Sequence, residues 1–211
     1  MLTSRSHWAR SRWERLAVAA LGAVVTGAGT LGACSAGPSS FPDRSVVVAA
    51  QAEWCDELAR VIGGGPSWEH LAACKADFPT ASGGYLRLMT KCFTRRLEAA
   101  GTDAPDRATI IADCNEEVLV HLPDDEAAAR EVTEARCERM TKCEGVPAAE
   151  CKAGFAKLEA AQRALFTTVY NAAGRYEVVD CLRGASCTDN EEAGREACYK
   201  PAADKLLWFP P

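Results

Sequence analysis

Eleven cysteines and their spacing limit this chain of 211 residues more than any other feature of it. The closest pairs, Cys137 with Cys143 and Cys181 with Cys187, have five residues between their members. Zinc sites use closer pairs, joined by a second such pair or by histidines, and thioredoxin-like sites and c-type haem attachment need C-x-x-C. Neither spacing occurs. Cystines formed in an oxidising compartment are the expected use of these thiols. An odd number cannot pair completely. With Cys34 set aside, four cysteines precede Pro123 and six follow it, so each half can close its own bridges.

The residues before Cys34 explain why that thiol stands apart. Arg5, Arg10, Arg12 and Arg15 face a single acid, Glu14, and the run from Leu16 to Leu31 then carries no charge. A basic segment followed by an apolar one is the layout of a secretory signal. The apolar run is about sixteen residues long and contains Gly22, Gly27 and Gly29, too short and too weakly helical for a permanent span of the bilayer. Leu31-Gly32-Ala33-Cys34 resembles the lipobox of bacterial lipoproteins. That resemblance covers the first 34 residues and implies that Cys34 is lipidated and becomes the first residue of the mature chain; the alternative is a plain secreted protein. Ser35, rather than Asp, follows the cysteine, and in a diderm cell the family rule then leans to the outer membrane. Residues 34–44, rich in Ser, Gly and Pro, are expected to form a flexible tether.

Of 24 basic and 29 acidic side chains, the first 33 residues hold four and one, so 20 and 28 remain from Cys34 onwards, a net charge of −8 with His neutral. Such a surface repels phosphate backbones, and nucleic acid is not an expected partner. Abundant alanine, few aromatics and few β-branched runs favour helices that pack closely through small side chains.

Caps and apolar periodicity predict helices almost throughout. One runs from Ser45 to Ile62, and a second, short one is capped by Ser67. A third opens at Ser82, a fourth at Asp103 or Asp106, and a fifth runs to about Cys143. A sixth starts at Pro147 and could reach Ala173, about 40 Å if unbroken, with a break at Thr167-Thr168-Val169 as the alternative. A seventh covers Tyr176 to Arg183. Thr188-Asp189-Asn190-Glu191 has capping-box spacing for an eighth. In the longer helices the cysteines lie on the apolar stripe.

Cys74-Lys75-Ala76-Asp77-Phe78 echoes Cys151-Lys152-Ala153-Gly154-Phe155. It sets a register in which Cys55, Cys74, Cys92 and Cys114 correspond to Cys137, Cys151, Cys181 and Cys198. Cys143 and Cys187 are left over, which predicts the pair Cys143-Cys187. For the shared four an alternating pairing is expected: Cys55-Cys92 and Cys74-Cys114, repeated as Cys137-Cys181 and Cys151-Cys198. A second echo, Met89-Thr90-Lys91-Cys92 with Met140-Thr141-Lys142-Cys143, does not fit this register.

Catalytic signatures are lacking: there is no nucleophile elbow, phosphate loop, dinucleotide fingerprint or zinc-protease motif. His70 and His121 have no motif neighbour. Asp124-Asp125-Glu126 and Asp189 to Glu192 could hold calcium, but at helix starts they serve the dipole better. Trp54 and Trp68, with Trp208 and Phe209 of the apolar tail, are the candidate binding surface; gap filling in an alanine-rich core is the favoured reading of Trp54 and Trp68, and docking of the tail onto the helices the other reading of Trp208 and Phe209. No cofactor, metal or catalytic residue is assigned.

These readings converge on an all-α, disulfide-stabilised helical bundle. The expected organisation is a signal at 1–33, a tether at 34–44, a helical unit at 45–122 and a second unit with an apolar tail at 123–211. The expected role is a binding, interaction or structural module of the cell envelope. It would be held at the membrane by lipid on Cys34 and could engage a protein partner. An extracytoplasmic hydrolase with a site built from scattered residues is the alternative.

Overall fold

Helix α1, Arg44–Val61, forms because Val47, Ala50, Gln51, Trp54, Cys55 and Leu58 recur every three or four residues and together bury one stripe. It ends where Gly64 and Gly65 take positive φ, a conformation other residues adopt only under strain. Then come α2 (Leu71–Ala76), α3 (Gly83–Ala100), α4 (Arg107–Leu119), α5 (Glu126–Glu144), α6 (Ala148–Ala156), α7 (Ala160–Phe166), α8 (Ala172–Gly184) and α9 (Glu191–Ala203). The computed structural model describes residues 41–100, 106–123 and 125–210. The signal segment, Cys34, Asp103 and Asp124 lie outside the described residues, which contain helices and no β-strand.

Asp106, Asp125 and Asn190 each accept a hydrogen bond from the third residue of the helix they precede, and Ser82 Oγ does the same for α3. The long sixth helix expected from Pro147 is divided into α6 and α7, and the expected seventh, Tyr176 to Arg183, is α8. Glu159 and Gln162 form a reciprocal capping box that restarts the chain as α7. Thr167 Oγ1 then bonds back to Arg163 O as α7 ends, and Asn171 caps α8. Two interruptions therefore occur, at 157–159 and at 167–171.

Five cystines join Cys55 to Cys74, Cys92 to Cys114, Cys137 to Cys151, Cys143 to Cys187 and Cys181 to Cys198. Cys143-Cys187 is the pair shared with the sequence expectation. The alternating pairs Cys55-Cys92, Cys74-Cys114, Cys137-Cys181 and Cys151-Cys198 are corrected to pairs between consecutive helices of the repeat. The reason is rotational phase. Glu53, Glu57 and Arg60 of α1 face Arg87, Thr94 and Glu98 of α3. Cys55 lies on the other flank, where Gln51 Nε2 donates to Cys74 O at 3.0 Å. On α3, Cys92 shares a face with Arg95 and Arg96, which pair with Glu117 and Asp113 of α4.

The cystines repeat with the caps. Cys55 and Cys137 each stand twelve residues after their N-cap positions, Asp43 and Asp125; Cys74 and Cys151 stand four after His70 and Pro147. Cys92 and Cys181 stand ten after Ser82 and Asn171, and Cys114 and Cys198 eight after Asp106 and Asn190. The register drawn from one five-residue echo thus extends over four helix starts. Against it, α7 and Cys143-Cys187 belong to the second half alone.

The halves meet at an antiparallel bridge between Ala81 and Tyr170, the residues just before the N-caps of α3 and α8. Ser82 N donates to Val169 O at 2.7 Å and Asn171 N to Thr80 O at 2.8 Å. Asn171, fully buried, also donates from Nδ2 to Pro79 O at 2.6 Å. Gly174 is required here, because a Cβ at that position would stand 2.8 Å from the Thr80 carbonyl oxygen. A single hydrophobic core includes Trp54, Phe93 and Ile110 from one half with Val132, Val178 and Tyr199 from the other.

Candidate functional site

The apolar tail decides the fate of the aromatic residues. After α9 the chain turns past Thr80, whose N–H donates to Lys205 O at 3.0 Å, and runs along α1. Trp54 Nε1 donates to Trp208 O at 3.0 Å, and the Phe209 ring stands edge-on to Trp54 at 5.3 Å. Trp54 is 0% exposed. It is therefore a core residue, not part of a binding surface, and the tail that buries it supplies the acceptor its indole needs. Trp68 remains half-buried, edge-on to Trp208 at 5.9 Å and to His70 at 5.5 Å. Of the four residues expected to bind, Trp68, Trp208 and Phe209 stay partly open, with Phe209 packed on Trp54 and Trp68 and Trp208 side by side. With His70 they form an aromatic shelf at the C-terminal end of α1. The rings fill one another's space, so the shelf offers apolar contact and ring edges rather than an enclosed pocket.

A second constellation surrounds Arg139, a residue the sequence reading passed over. Its side chain is 1% exposed, yet its guanidinium donates to Glu191 Oε2 at 2.9 Å, Ser186 O at 3.0 Å and Ala185 O at 3.3 Å. Thr188 N donates to the other oxygen of Glu191. That backbone bond, together with the Arg139 guanidinium, holds the Glu191 carboxyl below the usual carboxylate range. Arg139 thus clamps the loop that delivers Cys187 to Cys143. The signal for it was a cation on the apolar stripe of α5, seven residues after the buried Val132 and four after the buried Ala135.

The ligand atoms of Cys143, Cys187 and Glu191 lie within 4.8 Å of one another, the geometry of a small cation site. Both sulfurs are committed to the cystine and Glu191 to Arg139 and Thr188, so the group serves the loop's structure. Of the acidic runs considered for calcium, Asp125 and Glu191 are likewise occupied by helix-start hydrogen bonds. Three buried tyrosines, Tyr85, Tyr170 and Tyr199, have hydroxyls pushed above their ordinary range by desolvation, which keeps them neutral in the core.

His70 Nε2 stands 3.4 Å from Glu69 Oε1, a neighbour in sequence whose side chain is 84% exposed, and His121 is exposed after α4. Neither histidine lines either of two shallow grooves among the described residues. One, of about 320 Å³, runs between α5 and α6 over Ala129, Thr133, Phe155 and Ala156. The other, of about 310 Å³, lies between α5 and α8 over Glu138, Lys142, Leu182 and Arg183.

The fold defines the protein as a disulfide-stabilised all-α domain. Compared with models of protein families, with curated proteins and with solved structures, the chain finds no significant match.

Proposed function

We propose that the protein is a lipid-anchored lipoprotein displayed outside the cytoplasm, whose helical domain acts as a binding or structural module of the cell envelope. The observation that carries this reading is the disposition of the thiols. Five cystines take ten of the eleven cysteines, and the eleventh is Cys34, at the end of the segment that resembles a lipobox. A domain held by five cystines suits an oxidising compartment. Among the described residues no helix is long and apolar enough to cross a membrane, so attachment through lipid would supply what the helices do not. The shelf of Trp68, His70 and Trp208 is the surface for a protein partner, since aromatic side chains left partly in water are favoured at contacts.

Intact mass of the protein purified from membranes, with and without reduction, tests the reading. A chain beginning at Cys34, carrying lipid and gaining ten hydrogens on full reduction is the expected result. A mature chain that begins elsewhere, lacks lipid or carries free thiols overturns it.

A further inference from the structure

Among the described residues, the large apolar side chains that stand exposed are Val46, Val48, Val120 and Tyr176, from 45% to 58% open to solvent. They come from three helices or helix ends, yet they gather around the point where the described chain begins. Phe41 is its first residue. The Phe41 ring lies 6.3 Å from that of Tyr176 in α8, and Asp43 accepts a hydrogen bond from Ala172 N at the start of the same helix. Val46 and Val48 occupy the first turns of α1. Val46 also lies against Gly83 at the start of α3, where a Cβ would stand 2.8 Å from Val46 Cγ1. Leu122, two residues after Val120, reaches Gly84 beside it, its Cδ2 being 3.9 Å from a Cβ built there.

We infer that this face, centred on Phe41, rests on the headgroup region of the bilayer that carries the Cys34 lipid. The inference rests on the lipid-anchored reading. Seven Cα-to-Cα steps, with six residues between, lead from Cys34 to Phe41. Covalent geometry limits their span to about 24 Å whatever their conformation. The opposite end of α1, with Trp68 and Trp208, is about 27 Å further along that helix. The anchor therefore brings the Phe41 end to the lipid first, and that end carries the exposed apolar groups. A tyrosine at its rim suits a headgroup layer, where amphipathic rings settle. Anchoring would then orient the domain, with the aromatic shelf held away from the membrane.

The test uses the protein purified from membranes and reconstituted in phosphatidylethanolamine and phosphatidylglycerol vesicles. These contain a phospholipid with a diazirine beside its headgroup, and the label is mapped by mass spectrometry after photolysis. Segments 41–48, 119–122 and 172–177 should carry about fivefold more label than 63–70 and 204–210, as an apolar face seated in the interface requires. Val120→Asp and Tyr176→Asp, both at exposed positions, should cut that enrichment severalfold while all five cystines and the lipid on Cys34 persist. Even labelling, or labelling centred on Trp68 and Trp208, with lipid present on Cys34, overturns the assignment of the face and leaves the anchor standing. A Cys34 peptide without lipid overturns the anchor and this inference with it.

Discussion

Replacing Arg139 by Met removes a buried guanidinium while keeping most of the volume of its stem, so loss of charge and hydrogen bonds is separated from loss of packing. The substitution leaves the carbonyls of Ala185 and Ser186 without their donor and Glu191 with Thr188 N alone. Breaking one side of a buried ion pair costs about 3 to 5 kcal/mol. Glu191 lies near the surface and can draw water once its partner has gone, which places Arg139→Met at the lower end, about 3 kcal/mol. In a chain of this size that corresponds to a fall in Tm of about 6 to 12 °C. Calorimetry or circular dichroism on the oxidised protein reads it. Arg139→Lys should fall between wild type and Met, since an ammonium cannot serve a carboxylate and two carbonyls as a planar fork does. Glu191→Gln added to Arg139→Met should recover part of the loss by removing the unpaired carboxylate. A loss below about 1 kcal/mol for Arg139→Met, or no recovery in the double variant, refutes the clamp as a stabilising buried pair.

The same site makes stability depend on pH. Because the Glu191 carboxyl titrates lower in the folded protein than in the unfolded chain, its stabilisation is complete above the ordinary carboxylate range and fades as pH falls through the folded value. Glu191→Gln should flatten the acid limb of a denaturation midpoint plotted against pH; an unchanged limb counts against the assignment. Removing Cys143-Cys187, whose members are 44 residues apart, should cost about 4 kcal/mol by chain entropy, against about 3 kcal/mol for Cys137-Cys151 at 14, measured by urea unfolding of paired Ser variants. Under mild reductant and alkylation, Cys187, which is exposed, should be modified well before Cys55 or Cys74, both 0% exposed; simultaneous modification would contradict that order. Gly174→Ala should destabilise by about 1 to 3 kcal/mol, because the Cβ meets a backbone carbonyl that cannot swing aside; a neutral melt would show that the contact between the halves yields freely.

Helix positions were legible because burial of one stripe and capping of orphan N–H groups both leave marks in the sequence. Asp106 and Ser82 were readable as caps for that reason. The interruption at 157–159 was not, since Glu159 and Gln162 are good helix formers and their reciprocal hydrogen bonds are visible only in three dimensions. Pairing was harder still. Cys55 can turn toward α2 or toward α3 by a rotation that periodicity does not resolve, whereas Cys143 and Cys187 were identifiable as the remainder of a repeat. That Trp54 fills the core was legible from the alanine-rich composition, but not what covers it, which comes from more than 150 residues away in the chain.

The bridge between Ala81 and Tyr170 joins the same point of two repeated units, each giving one N–H and taking one from the other. That reciprocity is the rule of an isologous interface between identical subunits. Beyond what the two units share, the second alone holds α7, the Arg139 clamp and the extra cystine. The two halves thus meet through what they share, while the second carries parts that the first lacks.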